Sequence, residues 1–252
     1  MKLRFLGTGT STGIPMVGCS CDVCRSADVR NSRRRASVLI SGGDRHWLVD
    51  AGPDFRKQAL DAGLQLLSGV FLTHSHADHI LGLDDLRPLS WKQTIPVWAD
   101  QTTSAAVHRA FPYFFSPGDG KTSRPKLDFH IIEPLVSFDA EGLSVLPIPI
   151  RHGDATILGF RFGNLAYLTD CNGLTAESQS ALGGLETLIL GALRYKEHPT
   201  HFSIDQAVEA AQALGAQITY LTHFSHDIEH SVLAEQLPSG IAPAYDGLEV
   251  DF

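Results

Sequence analysis

Short apolar runs recur along the whole chain and predict a protein rich in β-strands. The runs are dominated by Val, Ile, Leu, Phe and Tyr, and most are bounded by Gly, Pro or Asp, as strands usually are. We predict strands near residues 2–6, 36–41, 46–50, 69–73, 95–98, 128–133, 143–150, 156–162, 165–169, 186–192, 217–221 and 248–252.

Segments with helical spacing of apolar residues separate these runs. They lie near residues 54–62, 78–87, 101–110, 175–182, 203–214 and 229–236. The segment 203–214 has the clearest ends, because Ser203 is a favourable N-cap and Gly215 follows the last apolar position. Since the early strands form hairpin-like groups with helices scattered between them, we predict an α/β (α+β) fold in which helices cover sheets. We expect a single domain over residues 1–252.

Composition and charge narrow the class of protein. Of the 252 residues, 43% are hydrophobic and 19% are charged, which is typical of a globular protein. The formal net charge of -8 weighs against an extended nucleic-acid interface. No apolar run reaches the length of a membrane span and no secretory signal is visible, so we expect a cytoplasmic protein with no membrane contact.

Three smaller features receive structural interpretations. Arg33, Arg34 and Arg35 predict a solvated entry into a strand rather than a nucleic-acid patch in an acidic chain. Residues 116–126 are rich in Gly and Pro and predict a surface loop, with a lid or substrate-gripping loop as the alternative. Cys171 is expected to be a buried free cysteine.

The segment 73–79, Thr-His-Ser-His-Ala-Asp-His, carries the most specific chemical signal. It places three imidazoles and one carboxylate directly after an apolar run. Imidazole and carboxylate ligands together suit Zn, Mn or Fe better than Mg or Ca. Without a cation, such a cluster would be costly through lost solvation and mutual repulsion. We therefore predict that this segment binds metal through His74, His76, Asp78 and His79.

Three further polar residues each follow a predicted strand, namely His152, Asp170 and His223. Strand ends bring side chains to a shared rim, where open sites are usually built. We therefore expect these residues to join the cluster at 74–79.

In their order and spacing, these residues resemble the signature of the metallo-β-lactamase superfamily. The segment Leu6-Gly-Thr-Gly-Thr10 is similar to the opening strand and turn of that family. The resemblance implies a four-layer αβ/βα sandwich, with two mixed sheets face to face and helices outside. It also implies two divalent ions, Zn or Mn, at the edge of the sheets. One ion would be held by His74, His76 and His152, and the other by Asp78, His79 and His223, with Asp170 bridging them.

This arrangement implies hydrolytic chemistry. Two ions of this kind lower the pKa of a shared water, so that hydroxide becomes available as a nucleophile. They also neutralise charge that develops in the transition state. Asp78 and Asp170 are therefore expected to act in catalysis as ligands, and Asp78 is not a free general base.

A second metal site is predicted at Cys19, Cys21 and Cys24, in a loop over about residues 18–32. In a reducing compartment such spacing is typical of metal binding rather than disulfides. Three thiolates and one imidazole make a closed structural zinc site. We expect His226 to be the imidazole, because it lies just after His223 and can face the zinc loop, and His230 is the alternative.

The zinc loop is similar to that of the cyclic phosphodiesterases of the carbon–phosphorus lyase pathway and their relatives. That likeness implies a small phosphodiester substrate, such as a phosphoribosyl 1,2-cyclic phosphate, and leaves a homodimer open. It also implies a histidine aimed at the phosphate just before a helix, which is the place of His201, with His198 as the alternative. His201 would protonate the leaving oxygen or stabilise charge on phosphorus. Arg194 and Tyr195 are weaker candidates for contacts with the phosphate or sugar.

The expected function is therefore that of a dinuclear metal phosphodiesterase. The alternatives are a tRNA 3′-processing-type nuclease, a thioester or lactone hydrolase, and a zinc-stabilised metal-binding scaffold without turnover. The net charge of -8 argues against the nuclease. The complete set of ligand residues argues against the scaffold.

Overall fold

Two β-sheets form the centre of the molecule. The computed structural model describes residues 1–116 and 123–252, which hold fifteen strands. One sheet contains β1 (Lys2–Gly7), β2 (Ser37–Gly42), β3 (Arg45–Val49), β4 (Gly69–Phe71), β5 (Ile95–Ala99), β6 (Leu127–Ile131) and β15 (Glu249–Asp251). The other contains β7 (Phe138–Ala140), β8 (Leu143–His152), β9 (Ala155–Phe162), β10 (Leu165–Leu168), β11 (Gly173–Leu174), β12 (Thr187–Gly191), β13 (Ile218–Thr222) and β14 (Ile241–Pro243).

Both sheets are mixed. Their strand orders are β15-β1-β2-β3-β4-β5-β6 and β11-β8-β9-β10-β12-β13-β14, and β7 pairs with β8. Seven helices lie between the strands: α1 (Phe55–Asp61), α2 (Ala77–Ile80), α3 (Gln101–Ala110), α4 (Pro112–Phe115), α5 (Ala176–Ala181), α6 (Ile204–Leu214) and α7 (His230–Gln236), counted over the described residues. Short 3-10 turns cover Val29–Asn31 and Leu83–Leu86.

The layering follows from the period of two in each strand, which sends successive side chains to opposite faces of a sheet. Phe71 of β4, Phe160 of β9 and Tyr167 of β10 belong to the core between the sheets. Val70 packs in a separate core with α1, and Leu168 packs in a third core with α6. Apolar cores on both faces of both sheets confirm the predicted four-layer αβ/βα sandwich.

The two sheets are fixed to each other where β4 ends. The ring of Phe71 lies 5.0 Å from that of Trp98 in its own sheet and 5.3 Å from that of Phe160 in the other. Just beyond β4, the carbonyl oxygen of Thr73 accepts a hydrogen bond from the amide of Leu158, at 3.0 Å. The chain therefore enters the histidine-rich segment from a rigid position.

Most predicted elements are confirmed, and the helix at 203–214 is confirmed in detail. Ser203 and Gln206 form a capping box at the start of α6, and Gly215 ends the helix in a left-handed conformation, with φ 68. The prediction of one helix over 78–87 was wrong, because the chain turns at Gly82 between α2 and a 3-10 turn. A Cβ on Gly82 would lie 2.0 Å from the carbonyl oxygen of Gly52, so the turn is pressed against a neighbouring loop. The short elements α4, β7, β11 and β14 were not predicted.

Three other expectations have different outcomes. Cys171 is fully buried and free, as predicted. In the described part of the chain, no helix is long and apolar enough to cross a membrane. Of the predicted loop over 116–126, residues 117–122 lie outside the described residues.

The prediction of a solvated arginine run was wrong for Arg33, which is only 1% exposed. Its guanidinium donates to the Thr8 hydroxyl at 2.8 Å and to the Ala244 carbonyl at 2.6 Å, and it contacts the Nδ1 atom of His230 at 3.1 Å. It also lies over the ring of Phe224, 4.6 Å from the centroid. Neighbouring residues of an extended segment face opposite sides, so one arginine of the run can be buried while the next is exposed. The composition of the run does not show which one is buried.

Arg34 offers a matched comparison, because it forms a surface ion pair with Asp61. We expect Arg33→Ala to lower the free energy of unfolding by about 2–4 kcal/mol, since it leaves buried polar groups without partners. Arg34→Ala should lower it by about 1 kcal/mol or less. Urea unfolding at a fixed zinc concentration measures both values, and equal losses would contradict the structural role given to Arg33.

Candidate metal centre

The ends of four strands bring the predicted ligands to one edge of the sandwich. The histidine-rich segment follows β4, and its second half forms α2. His152 is the last residue of β8, Asp170 lies just beyond β10, and His223 directly follows β13. Because the sheets face each other, residues far apart in the sequence meet at this edge.

Unusual backbone conformations mark the same edge. Asp50, Asp170 and His223 have φ values of 63, 56 and 65, in the left-handed region that residues other than glycine rarely adopt. Such strain persists only where surrounding contacts enforce it, and it tends to cluster at functional sites. Two of these three residues belong to the predicted ligand set.

A first group of ligand atoms comes from His74, His76 and His152, whose ligating atoms all lie within 4.8 Å of one another. The ring centroids of His74 and His152 are 5.4 Å apart, and His76 lies 4.5 Å and 5.1 Å from them. His74 and His152 are buried, whereas His76 is exposed. The group is therefore accessible from the side of His76.

A second group consists of Asp78, His79, Asp170 and His223, also within 4.8 Å of one another. The Nε2 atom of His79 lies 3.3 Å from the carboxylate of Asp78 and 3.5 Å from that of Asp170. Asp170 also lies 3.2 Å from Nε2 of His223 and 3.9 Å from Nε2 of His74. The carboxylate of Asp170 thus contacts members of both groups.

The chemistry of these groups fits divalent cations. Among the described residues, the Nε2 atoms of His74, His79 and His223 are buried and have no hydrogen-bond partner. Burial lowers the pKa of His74 well below its ordinary value, so its imidazole is neutral and offers a lone pair. Buried polar atoms without partners are rare, and cations bound at the two groups would satisfy all three. Imidazoles combined with carboxylates favour Zn, Mn or Fe.

Asp50 is a supporting residue that the sequence interpretation missed. Its carboxylate accepts hydrogen bonds from the backbone and hydroxyl of Thr73, and it lies 2.7 Å from Nδ1 of His79. Burial opposes a charge on His79, but the carboxylates of Asp170 and Asp50 outweigh it and hold the pKa of His79 well above its ordinary value. A metal therefore competes with a proton at His79, and binding should strengthen as pH rises. The available signal was an Asp at the end of a strand, the same signal that pointed to Asp170.

The cysteine loop forms a separate group. The ligating atoms of Cys19, Cys21, Cys24 and His226 lie within 4.8 Å of one another. The Nδ1 atom of His226 is 3.3 Å from the sulfur of Cys19 and 3.4 Å from that of Cys21. Hydrogen bonds from the backbone of Cys24 and from His226 lower the pKa of Cys21 to about 6, which favours the thiolate that zinc requires. His230, the alternative, contacts Arg33 instead.

The two groups of histidine and aspartate ligands together form the main cluster, and His201 lies beside it. Its ring is 4.8 Å from that of His152 and 4.9 Å from that of His223, and a ligating atom lies within 4.8 Å of those of His152 and Asp170. Burial lowers the pKa of His201 to about 3, so the ring is neutral and has one N–H to donate. The ring of His198 is 5.2 Å from that of His201, and its Nδ1 atom is bonded to Thr200. His201 is thus the one of the pair that faces the ligands.

The two weaker candidates have other contacts. The guanidinium of Arg194 donates to the carbonyl oxygens of Lys196 and Glu197, at 3.2 and 3.1 Å. The hydroxyl of Tyr195 donates to Gln236 of α7 at 3.1 Å, and 42% of the residue is exposed. These contacts account for both side chains without a substrate, and their binding role stays a prediction.

Comparison with known proteins gives a matching family model and a similar solved structure. The family model described as the beta-lactamase superfamily domain matches residues 45–224, which include both ligand groups of the main cluster and His201. A solved structure described as a new diphosphatase from the PhnP family superimposes with a TM-score of 0.94. It is 41% identical in sequence, over 100% of this chain and 96% of that chain.

Two curated relatives carry other names. An octanoyltransferase of Porphyromonas gingivalis is 41% identical over 254 residues, which is 99% of this chain and 51% of that protein. This chain therefore spans about half the length of that relative. A ribonuclease Z of a Mycobacterium species is 28% identical over 232 residues, 78% of this chain and 80% of that protein.

Asp50→Asn keeps the shape of the side chain but removes the charge that faces His79. We expect metal affinity of the main cluster to fall by about 10- to 100-fold, as for other residues that orient a ligating histidine. Competition with a chromophoric chelator measures the change. Asp61→Asn, at a surface ion pair with Arg34 and Lys57, is the matched control and should leave affinity unchanged. The role of Asp50 would be refuted by two variants of equal affinity.

His226 and His230 provide a second matched pair. His226→Ala should lose the zinc of the cysteine loop, because one of its ligands is gone, whereas His230→Ala should retain it. Atomic emission analysis of the purified variants, compared with wild type, gives the zinc content directly. Loss of zinc in His230→Ala alone would reverse the assignment.

Proposed function

Because this chain belongs to the beta-lactamase superfamily, we propose that it hydrolyses a small phosphodiester with two divalent metal ions bound. The observation that carries the proposal is the position of Asp170. Its buried carboxylate contacts the second ligand group and His74 of the first, and the ring of His201 lies beside the cluster. Two adjoining cation sites with a neutral imidazole at their side suit a substrate with negatively charged oxygens.

The residues fall into two sets by the ion that each would hold. The first ion would be bound by His74, His76 and His152, and the second by Asp78, His79 and His223, with Asp170 shared. When bound, two such ions supply the Lewis acidity that activates water and offsets charge on a reacting phosphate. Although burial opposes its charge, His79 holds the pKa of Asp78 below its usual range, so Asp78 is a carboxylate suited to ligation.

His201 would act on the substrate through its N–H. Burial lowers the pKa of His201 to about 3, so the ring is neutral at neutral pH. It is therefore not an imidazolium that could transfer a proton to the leaving oxygen. It can still donate a hydrogen bond to a phosphate oxygen or to the leaving oxygen, where negative charge grows in the transition state. This role differs from proton donation but uses the same position.

The likeness of the zinc loop favours a small cyclic phosphodiester of the phosphoribosyl type. A second candidate is a diphosphate bond, because the 41% identical structure is described as a diphosphatase. In a doubly substituted diphosphate each phosphorus carries one negative charge, as in a phosphodiester. The same pair of cation sites therefore suits both linkages.

Two other activities are less well supported. A ribonuclease Z relative shares 28% identity, but the net charge of -8 disfavours the backbone contacts that a structured RNA needs. The octanoyltransferase relative is matched over 51% of its length, so its transferase name need not describe the matched half. An acyl thioester is the substrate to compare with the phosphodiester.

The proposal is tested by hydrolysis of bis(p-nitrophenyl) phosphate, a ribosyl 1,2-cyclic phosphate, a substituted diphosphate and an acyl thioester. The enzyme is loaded with Zn or Mn, and Asp170→Ala is the blank. We expect turnover of at least one phosphate substrate, loss of that turnover in Asp170→Ala, and an unchanged circular dichroism spectrum.

Turnover of the thioester alone would overturn the proposal. So would a wild-type protein in which only the cysteine loop binds metal, since this would indicate a scaffold. Equal phosphate turnover by Asp170→Ala would show that the site is elsewhere.

A further inference from the structure

Three of the contacts that hold the loop carrying His201 come from residues at or near the metal ligands. The loop lies between β12 and α6, outside any regular element. Its carbonyl at Thr200 is 3.0 Å from Nδ1 of His152, and the amide of Phe202 donates to the Cys171 carbonyl at 2.7 Å. A third contact comes from Asn172, whose Nδ2 donates to the Pro199 carbonyl at 2.6 Å.

Asn172 is the one of these anchors that also grips a second loop. Its Oδ1 atom accepts a hydrogen bond from the amide of Gly153 at 3.1 Å. The backbone amide of Asn172 donates to the Arg151 carbonyl at 2.9 Å. One side chain therefore joins the turn after His152 to the loop before His201, from a position directly after the segment Asp170–Cys171.

The two loops are packed closely enough for this link to set their spacing. Gly153 has φ 62, and a Cβ at that position would lie 2.9 Å from the Cγ2 atom of Thr200. The turn after His152 therefore packs against Thr200 of the His201 loop. A shift of either loop would change the 4.8 Å separation between the rings of His152 and His201.

We infer that Asn172 is a positioning residue that fixes the distance between His201 and the metal ligands. The inference rests on the proposed function, in which His201 donates a hydrogen bond to the substrate. An amide suits the place because it donates to one loop and accepts from the other, whereas a carboxylate could only accept and an alkyl group could do neither. Asn172 is half-buried, and its side chain hydrogen-bonds to the two loops.

The test is a double-mutant cycle with Asn172→Ala, His201→Ala and the double variant, on the metal-loaded enzyme. We expect Asn172→Ala to lower kcat by about 10- to 100-fold, the effect of a small misplacement of a catalytic group, with KM and metal content unchanged. In the His201→Ala background the same change should alter kcat by less than about 2-fold, because residues that act through one another are not additive.

Asn164→Ala is the matched control. Asn164 is exposed at the opposite end of β10 and makes one side-chain bond, to Glu186 at 3.0 Å. It should leave kcat unchanged. Asn172→Asp separates the two contacts, because it keeps the acceptor for Gly153 and loses the donor to Pro199; it should resemble Asn172→Ala.

Hydrogen–deuterium exchange gives a readout that needs no substrate. Amides of residues 200–203 should exchange faster in Asn172→Ala than in wild type or Asn164→Ala. If wild type hydrolyses no phosphate substrate but exchange rises as expected, the proposed function fails and the positioning role stands. Unchanged exchange overturns the inference. An additive cycle, or a loss of kcat that follows loss of metal, also overturns it.

Discussion

A buried carboxylate among imidazoles is the interaction on which the rest of this structure depends. Asp170 is 2% exposed and lies 3.2 to 3.9 Å from the ring nitrogens of three histidines. A charge so far from water is tolerated only beside opposite charge and hydrogen bonds. The left-handed backbone at Asp170 and the loops that meet around it serve that one placement. The nearby hydroxyl of Thr169 adds a hydrogen bond of 2.6 Å.

Features that depend on local sequence could be predicted well. Short apolar runs bounded by Gly, Pro or Asp located most strands, and Ser203 and Gly215 located the ends of α6, because these signals act within a few residues. The ligand set was within reach for a related reason. Strands end at polar residues where a sheet meets solvent, so His152, Asp170 and His223 could be expected at one rim, where the structure brings them together.

Features that depend on contacts between distant residues could not be predicted. Arg33 is buried because Thr8, Ala244 and Phe224 surround it, and nothing in an Arg-Arg-Arg run distinguishes it. Asp50 follows a strand as Asp170 does, but its contact with His79, like the contact of Asn172 with Pro199, exists only once distant segments come together. The strands β7, β11 and β14 are two or three residues long and are defined by their neighbours rather than by any pattern of their own.

The first strand, β1, pairs with the last strand, β15. The amino group of Met1 lies 2.8 Å from the carbonyl oxygen of Phe252, and Lys2 is paired with Asp251. Two residues beyond the far end of β1, Gly9 pairs with Phe224, the neighbour of His223. Six residues at about 3.3 Å each keep the joined ends about 20 Å from the metal edge. Because Gly9 pairs with the neighbour of His223, a slip in the register of β1 would displace that ligand as well as the pairing with the last strand.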